Sequence, residues 1–235
     1  MNTQQTKKPI NILSEDENKR LSQLLAIVIG PQFGDSPSEK LQKTLELKSV
    51  EAAMLEEYLK PEAYQVLLDL GSGLGVTAKH LSQRVKKVIC CDVYSEMLEL
   101  AQSLNKEREN IEYLPIQSYD LSAIEENSID IVYSLGLFIH FNLYDTYLYF
   151  QEFKRVLKPG GQCFLNIKDA NELEMNQFLP DAKTYKINGY TTQGLQQWMA
   201  PKGVIQIAEY YDFELTDQSV IENPSDCGLY FRLKS

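Results

Sequence analysis

The chain has 235 residues, enough for one domain or one domain with a small cap, and 43% are hydrophobic, so a sizeable core can form. With 23 basic and 33 acidic residues the net charge is −10, which argues against a broad nucleic-acid footprint and against an anionic membrane surface. The longest apolar run, Leu24 to Ile29, is far too short to span a bilayer. The cysteines at 90, 91, 163 and 227 lack C-x-x-C spacing and read as buried thiols of a reducing, cytoplasmic compartment.

Residues 1 to 13 read as a polar tail without a secretory leader. Ser14-Glu15-Asp16-Glu17 has the form of a capping box, and Leu21, Leu24, Leu25 and Val28 follow at helical spacing until Gly30-Pro31. Ser36-Pro37-Ser38-Glu39 starts a second helix, whose stripe of Leu41, Leu45, Ala52, Leu55 and Leu59 runs down to Lys60-Pro61. Residues 1–60 are therefore set apart as a tail and helical cap. The two helices either pack on a sheet face or cover a ligand site.

From Val66 the pattern changes. An apolar run, Val66 to Leu70, is interrupted only by Asp69 and followed by Gly71-Ser72-Gly73-Leu74-Gly75. An amphipathic segment from Val76 to Arg84 leads to a second apolar run, Val88 to Cys91, closed by Asp92. That order is strand, turn, helix, strand, half of an open parallel α/β sheet whose ligands sit at the carboxyl ends of the strands. Ser95 is placed as the cap of a helix to about Asn105, Ile111–Ile116 as a third strand, and Ser128–Tyr133 as a fourth. A helix from Tyr144 to Leu157 stops at Lys158-Pro159-Gly160-Gly161, and Gln162–Ile167 is a fifth strand. Asp169 to Tyr190 shows no clear period and reads as an irregular lid over an acceptor cleft. Thr192–Met199 reads as a helix, and Val204–Leu215 with Gly228–Leu233 as a closing antiparallel hairpin. The fold class is α/β: a Rossmann-like, doubly wound, mostly parallel seven-stranded sheet with that hairpin at its C-terminal end.

The glycine turn has the spacing G-x-G-x-G, with Val76 where a dinucleotide-type glycine or alanine falls. Asp69 stands two residues before it. A carboxylate there repels a pyrophosphate and attracts an ammonium group, whereas Asp92 can accept from both hydroxyls of a ribose. A ligand with a ribose and a cationic end follows, and S-adenosyl-L-methionine has both.

On these residues the chain resembles the class I S-adenosylmethionine-dependent methyltransferases, of the small-molecule, type 11-like kind. Asp69-Leu70-Gly71-Ser72-Gly73-Leu74-Gly75 looks like their first motif, and Asp92-Val93-Tyr94-Ser95-Glu96-Met97-Leu98 like the second. Ile129 to Ser134 resembles their fourth strand, and Glu152 to Gly161 the helix end before the fifth. The resemblance implies a methyltransferase domain over 61–235 and a cofactor site of Asp69, Gly71, Ser72, Gly73, Gly75, Asp92, Val93, Met97 and Ser134. At the end of the third strand the family's Gly-Asp-Ala is replaced by Gln117-Ser118-Tyr119, so Ser118 or Gln117 is left to accept from the adenine and Tyr119 to stack on it.

The acceptor is placed beyond the fourth strand, over Ser134 to Asn142, where His140 either meets the substrate, as a base, or orders the loop. That segment has neither Asn-Pro-Pro-Tyr nor a nucleophilic cysteine, which with the acidic balance speaks for a small-molecule acceptor and against nucleic acid. The rival readings are a methyltransferase for a protein side chain and a non-catalytic S-adenosylmethionine-binding module acting through a partner.

Overall fold

The computed structural model describes residues 14, 16–17, 19–20, 36–187, 195–220 and 226–234. At its start the Ser14 Oγ accepts from the Glu17 N–H at 3.3 Å while the Glu17 carboxylate accepts from the Ser14 N–H at 2.7 Å, the reciprocal capping the sequence called for. The stripe from Leu21 to Val28 lies outside the described residues.

Helix α1 spans Pro37–Leu59 and is capped by Ser36 with Glu39. There follow β1 (Val66–Leu70), α2 (Val76–Leu81), β2 (Lys87–Asp92), α3 (Ser95–Leu104), β3 (Ile111–Pro115) and β4 (Ile129–Ser134). Then come α4 (Leu143–Val156), β5 (Leu157–Asp169), α5 (Met175–Ile187), β6 (Trp198–Met199), α6 (Pro201–Tyr210), β7 (Phe213–Val220) and β8 (Asp226–Leu233). The main strand order is β3-β2-β1-β4-β5-β8-β7, parallel from β3 to β5 and antiparallel in β8 and β7. The chain winds outward from β1 in both directions, so the order reverses between β1 and β4. The turn after β1 lies at that switch point.

Alternation along the strands sorts side chains between two cores. Leu68 and Leu70 of β1 face the cluster built with Phe150 and Phe153 of α4 and Val204 and Ala208 of α6. Leu67 faces the opposite cluster, made with Leu55 and Leu59 of α1, Ala78 and Leu81 of α2, and Leu98 of α3. The far half of α1 thus packs on the sheet. Its near half, through Leu41 and Leu45, packs on Leu74 of the glycine turn and on Met97, Leu100 and Leu104 of α3. Helix α1 thus packs on the sheet with one half and on the glycine turn with the other.

Four expectations are corrected. Val204 to Tyr210 is not strand but part of α6, with Val204 and Ala208 buried four residues apart and Pro201 in the first turn; the closing hairpin begins only at Phe213. Residues 175–187 are helical, preceded by a 3-10 turn at Ala170–Glu172, so the stretch after β5 is not an irregular loop. Trp198–Met199, placed in a helix, forms a two-residue strand parallel to the end of β5 and makes the sheet eight-stranded. Ser95 is the first residue of α3 rather than its cap; the cap is Tyr94, whose N–H donates to the Asp92 Oδ1 at 3.0 Å.

Candidate functional site

The site is assembled from the ends of β1, β2 and β4. Asp69 follows Leu67 on the same sheet face, and its cross-strand neighbours are Cys90 on β2 and Tyr133 on β4. Both neighbours are wholly buried, so the carboxyl is held in a poorly hydrated trough and only 4% exposed. Among the described residues neither its Oδ2 nor the Tyr133 phenol beside it completes a hydrogen bond of good geometry, although the two groups lie close enough to influence each other. Burial pushes the Asp69 carboxyl up to about 7, with the nearby Tyr133 and Lys48 easing the shift and Asp92 and Glu51 adding to it.

The turn is pinned to the end of β2: the N–H groups of Gly71 and Ser72 both donate to the Cys91 carbonyl, at 2.8 and 3.1 Å. The Gly73 N–H donates to the Asp92 Oδ2 at 3.0 Å. Asp92 is thereby oriented by two backbone donors and keeps acceptor capacity on each oxygen. The glycines divide the work. Gly73 has φ +53° and a Cβ there would meet nothing within 4 Å, so this part of the turn faces open space. Gly75 has φ +65° and a Cβ would lie 2.8 Å from the Asn105 Nδ2, so its part is close packing against the end of α3.

Two cavities meet at Gly71, which lines both. The first, of about 150 Å³, is lined by Asp69, Ser72 and Gly73, by Met97 and Leu135, and by Thr44 and Lys48 of α1. The Ser72 hydroxyl, buried beside the Cys90 thiol, is a further polar group on this lining that completes no hydrogen bond of good geometry among the described residues. The Lys48 Nζ donates to the Glu51 carboxylate at 2.6 Å and to the Leu135 carbonyl at 3.3 Å. The second cavity, of about 140 Å³, holds Asp92, Val93, Ser118 and Tyr119 with Phe141 and Tyr149 behind. Phe141 and Tyr149 are stacked at 5.2 Å between centroids. The Tyr149 hydroxyl donates to the Ser118 carbonyl at 3.1 Å, and the Tyr119 hydroxyl donates to Asp145.

The anticipated residues therefore fall into two groups. Asp69, Gly71, Ser72, Gly73, Asp92, Val93, Met97, Ser118 and Tyr119 converge on the paired cavities. Gly75, Gln117, Ser134 and His140 line neither of them. Ser134 is wholly buried and its hydroxyl donates to the Leu70 carbonyl at 2.8 Å, a tie between β4 and β1. Gln117 is exposed and bridges Asp120 across a tight turn whose Ser118 has φ +54°. His140 ends a 3-10 turn, is exposed, and places its Nδ1 3.1 Å from the Leu195 carbonyl. Thr44 and Lys48 escaped sequence reasoning because only the leucine stripe of their helix carried a signal. Their four-residue spacing puts both on one face.

A ribose-bearing ligand with a cationic end suits these residues: the buried Asp69 oxygen completes no hydrogen bond of good geometry among the described residues, and the turn opposite Gly73 has room for a ligand. Fold and site together resemble those of the class I S-adenosylmethionine-dependent methyltransferases. Residues 68–165 match the type 11 methyltransferase family, described as "Methyltransferase domain".

Among curated proteins, phosphoethanolamine N-methyltransferase 1 of Triticum aestivum is 29% identical over 134 residues, which cover 56% of this chain and 26% of that protein. The ubiquinone biosynthesis O-methyltransferase of Albidiferax ferrireducens is 29% identical over 111 residues, covering 46% of this chain and 43% of that one. The chain thus spans less than half the length of these relatives. Among solved structures, magnesium protoporphyrin IX methyltransferase from Synechocystis PCC 6803 with bound SAH superposes with a TM-score of 0.65 at 15% identity, over 94% of this chain and 100% of that one, a likeness of fold.

Proposed function

We propose that the protein catalyses methyl transfer from S-adenosylmethionine to a small-molecule acceptor. The observation that carries the reading is the buried Asp69 carboxyl, its Oδ2 completing no hydrogen bond of good geometry among the described residues, on the wall of a cavity that meets the Asp92 cavity at Gly71. When bound, the cofactor supplies a methyl group on a sulfonium already activated for in-line displacement. The protein's tasks are then binding, alignment and exclusion of water. In this reading Asp69 holds the ammonium, Asp92 takes the ribose hydroxyls, and Val93, Ser118 and Tyr119 border the base. Helix α1 closes the amino-acid end against solvent.

A small acceptor is supported by the printed names of the two curated relatives, one acting on phosphoethanolamine and the other in ubiquinone biosynthesis. The segment Leu135 to Phe141, leaving β4 beside both cavities, is the acceptor's natural approach. His140 acts here by ordering that segment against Leu195 rather than as a base. Incubation of the protein with methyl-labelled cofactor and metabolite pools tests the proposal. Label in a small organic product supports it. Label only in protein favours a side-chain acceptor. Binding of the cofactor with no transfer to either leaves a binding module.

A further inference from the structure

The first cavity is lined by a carboxylate, Asp69, and by a cation, Lys48. Lys48 comes from α1, remote in sequence from the turn, and its side chain is 28% exposed. Its ammonium has three donors; Glu51 and the Leu135 carbonyl engage two, and one remains. The Glu51 side chain is only 10% exposed, so Lys48 is held by a carboxylate that is itself largely out of water. Thr44, one turn earlier on α1, lines the same cavity. A cavity of about 150 Å³ lined by both a carboxylate and a lysine is matched to a zwitterion, whose ammonium suits the one and whose carboxylate suits the other.

We propose that Lys48 binds the carboxylate of the ligand's amino-acid end and so makes the site selective for ligands that carry that end. This rests on the cofactor reading above and adds a residue to it from outside the glycine turn. Lys48 is a binding residue in this account: its ammonium gives the spare donor to the ligand carboxylate while Glu51 directs it. Two carboxylates, Glu51 and the ligand's, then share one ammonium, so Glu51 also competes with the ligand.

The test is calorimetric titration of the whole chain with two probes, S-adenosylhomocysteine and 5′-methylthioadenosine; the second keeps adenine, ribose and thioether but has no amino-acid end. The wild type is expected to bind both. Lys48→Met should lose at least tenfold for S-adenosylhomocysteine and stay within twofold for methylthioadenosine, which also shows that the variant is folded. Lys48→Arg should recover most of the loss. Glu51→Gln, which leaves Lys48 in place and removes its competitor, should tighten S-adenosylhomocysteine severalfold.

If Lys48→Met weakens both probes alike, Lys48 merely holds α1 against β4 and the proposal fails. It fails equally if Lys48→Met leaves S-adenosylhomocysteine unchanged, or tightens it, as removal of a cationic plug would. A wild type that binds neither probe overturns the cofactor reading itself, a result separate from any behaviour of the variants.

Discussion

Asp69 occupies the sheet position that would ordinarily carry an apolar side chain. It alternates in phase with Leu67, and Cys90 and Tyr133 stand beside it on the neighbouring strands. That surrounding, rather than any partner, raises its carboxyl from 3.8 to about 7. The folded state therefore holds a proton that the unfolded state has released between those two values, and this group's contribution to stability falls as pH rises from about 4 to 7. The penalty is absent at acid pH and complete above 7, on the order of 4 kcal/mol. Asp69→Asn should accordingly melt higher than the wild type at pH 8, with the gap closing at pH 5. An equal gap at both pH values would refute the account. Ligand binding runs the other way: a bound ammonium needs the carboxylate, so affinity should drop as pH falls below 7.

The two acids and the glycines were legible in the sequence because their chemistry is tied to short spacings. Lys48 was not, because its part depends on where a distant helix lies. Ser134 and His140 stood at the right places along the chain, but one hydroxyl is spent on the Leu70 carbonyl and the imidazole lies beside the Leu195 carbonyl, outside both cavities.

At the scale of elements, the strand-turn-helix unit from β1 to α2 depends on Gly73. Its φ of +53° is costly for a β-branched residue, while the absence of atoms within 4 Å means that a side chain would enter the ligand's space rather than a packed core. Gly73→Val should therefore lower stability by about 1–3 kcal/mol, measured by chemical unfolding, yet abolish binding of S-adenosylhomocysteine. Normal binding by this variant would reduce the turn to a structural connection.

Strand positions up to β4 were readable because each apolar run is short and bounded; β5 was not, since it starts at Leu157 and runs through Lys158-Pro159-Gly160-Gly161, which reads as a turn, five residues before the expected Gln162. The C-terminal half was harder. In α6 the run Val204-Ile205-Gln206-Ile207 mimics strand alternation, and Pro201 in the first turn was the signal pointing to helix. In α5, Pro180 lies inside the helix and masked the helical spacing of Met175, Phe178, Leu179 and Ala182.

For the whole molecule, α1 and α5 flank the carboxyl ends of the strands in different ways. α1 is anchored by Ala52, Leu55 and Leu59, all buried, whereas α5 buries none of its residues and leaves Met175, Leu179 and Ile187 exposed. An apolar helix face of that kind has surface to gain on closing over a ligand. Hydrogen exchange with S-adenosylhomocysteine should show added protection around residues 69–92 and along α1. If α5 is a lid over the acceptor, its protection should rise only when an acceptor is also present; protection that never changes along α5 would remove it from the mechanism.

The central claim is that the paired cavities bind a ribose-bearing ligand with a cationic amino-acid end, not a pyrophosphate. Among the described residues no helix is long and apolar enough to cross a membrane. Calorimetry at pH 8 against S-adenosylhomocysteine and, separately, against NAD tests it most directly. The account predicts one S-adenosylhomocysteine bound per chain and no measurable heat with NAD, because Asp69 repels the pyrophosphate. Binding of NAD without S-adenosylhomocysteine would contradict it.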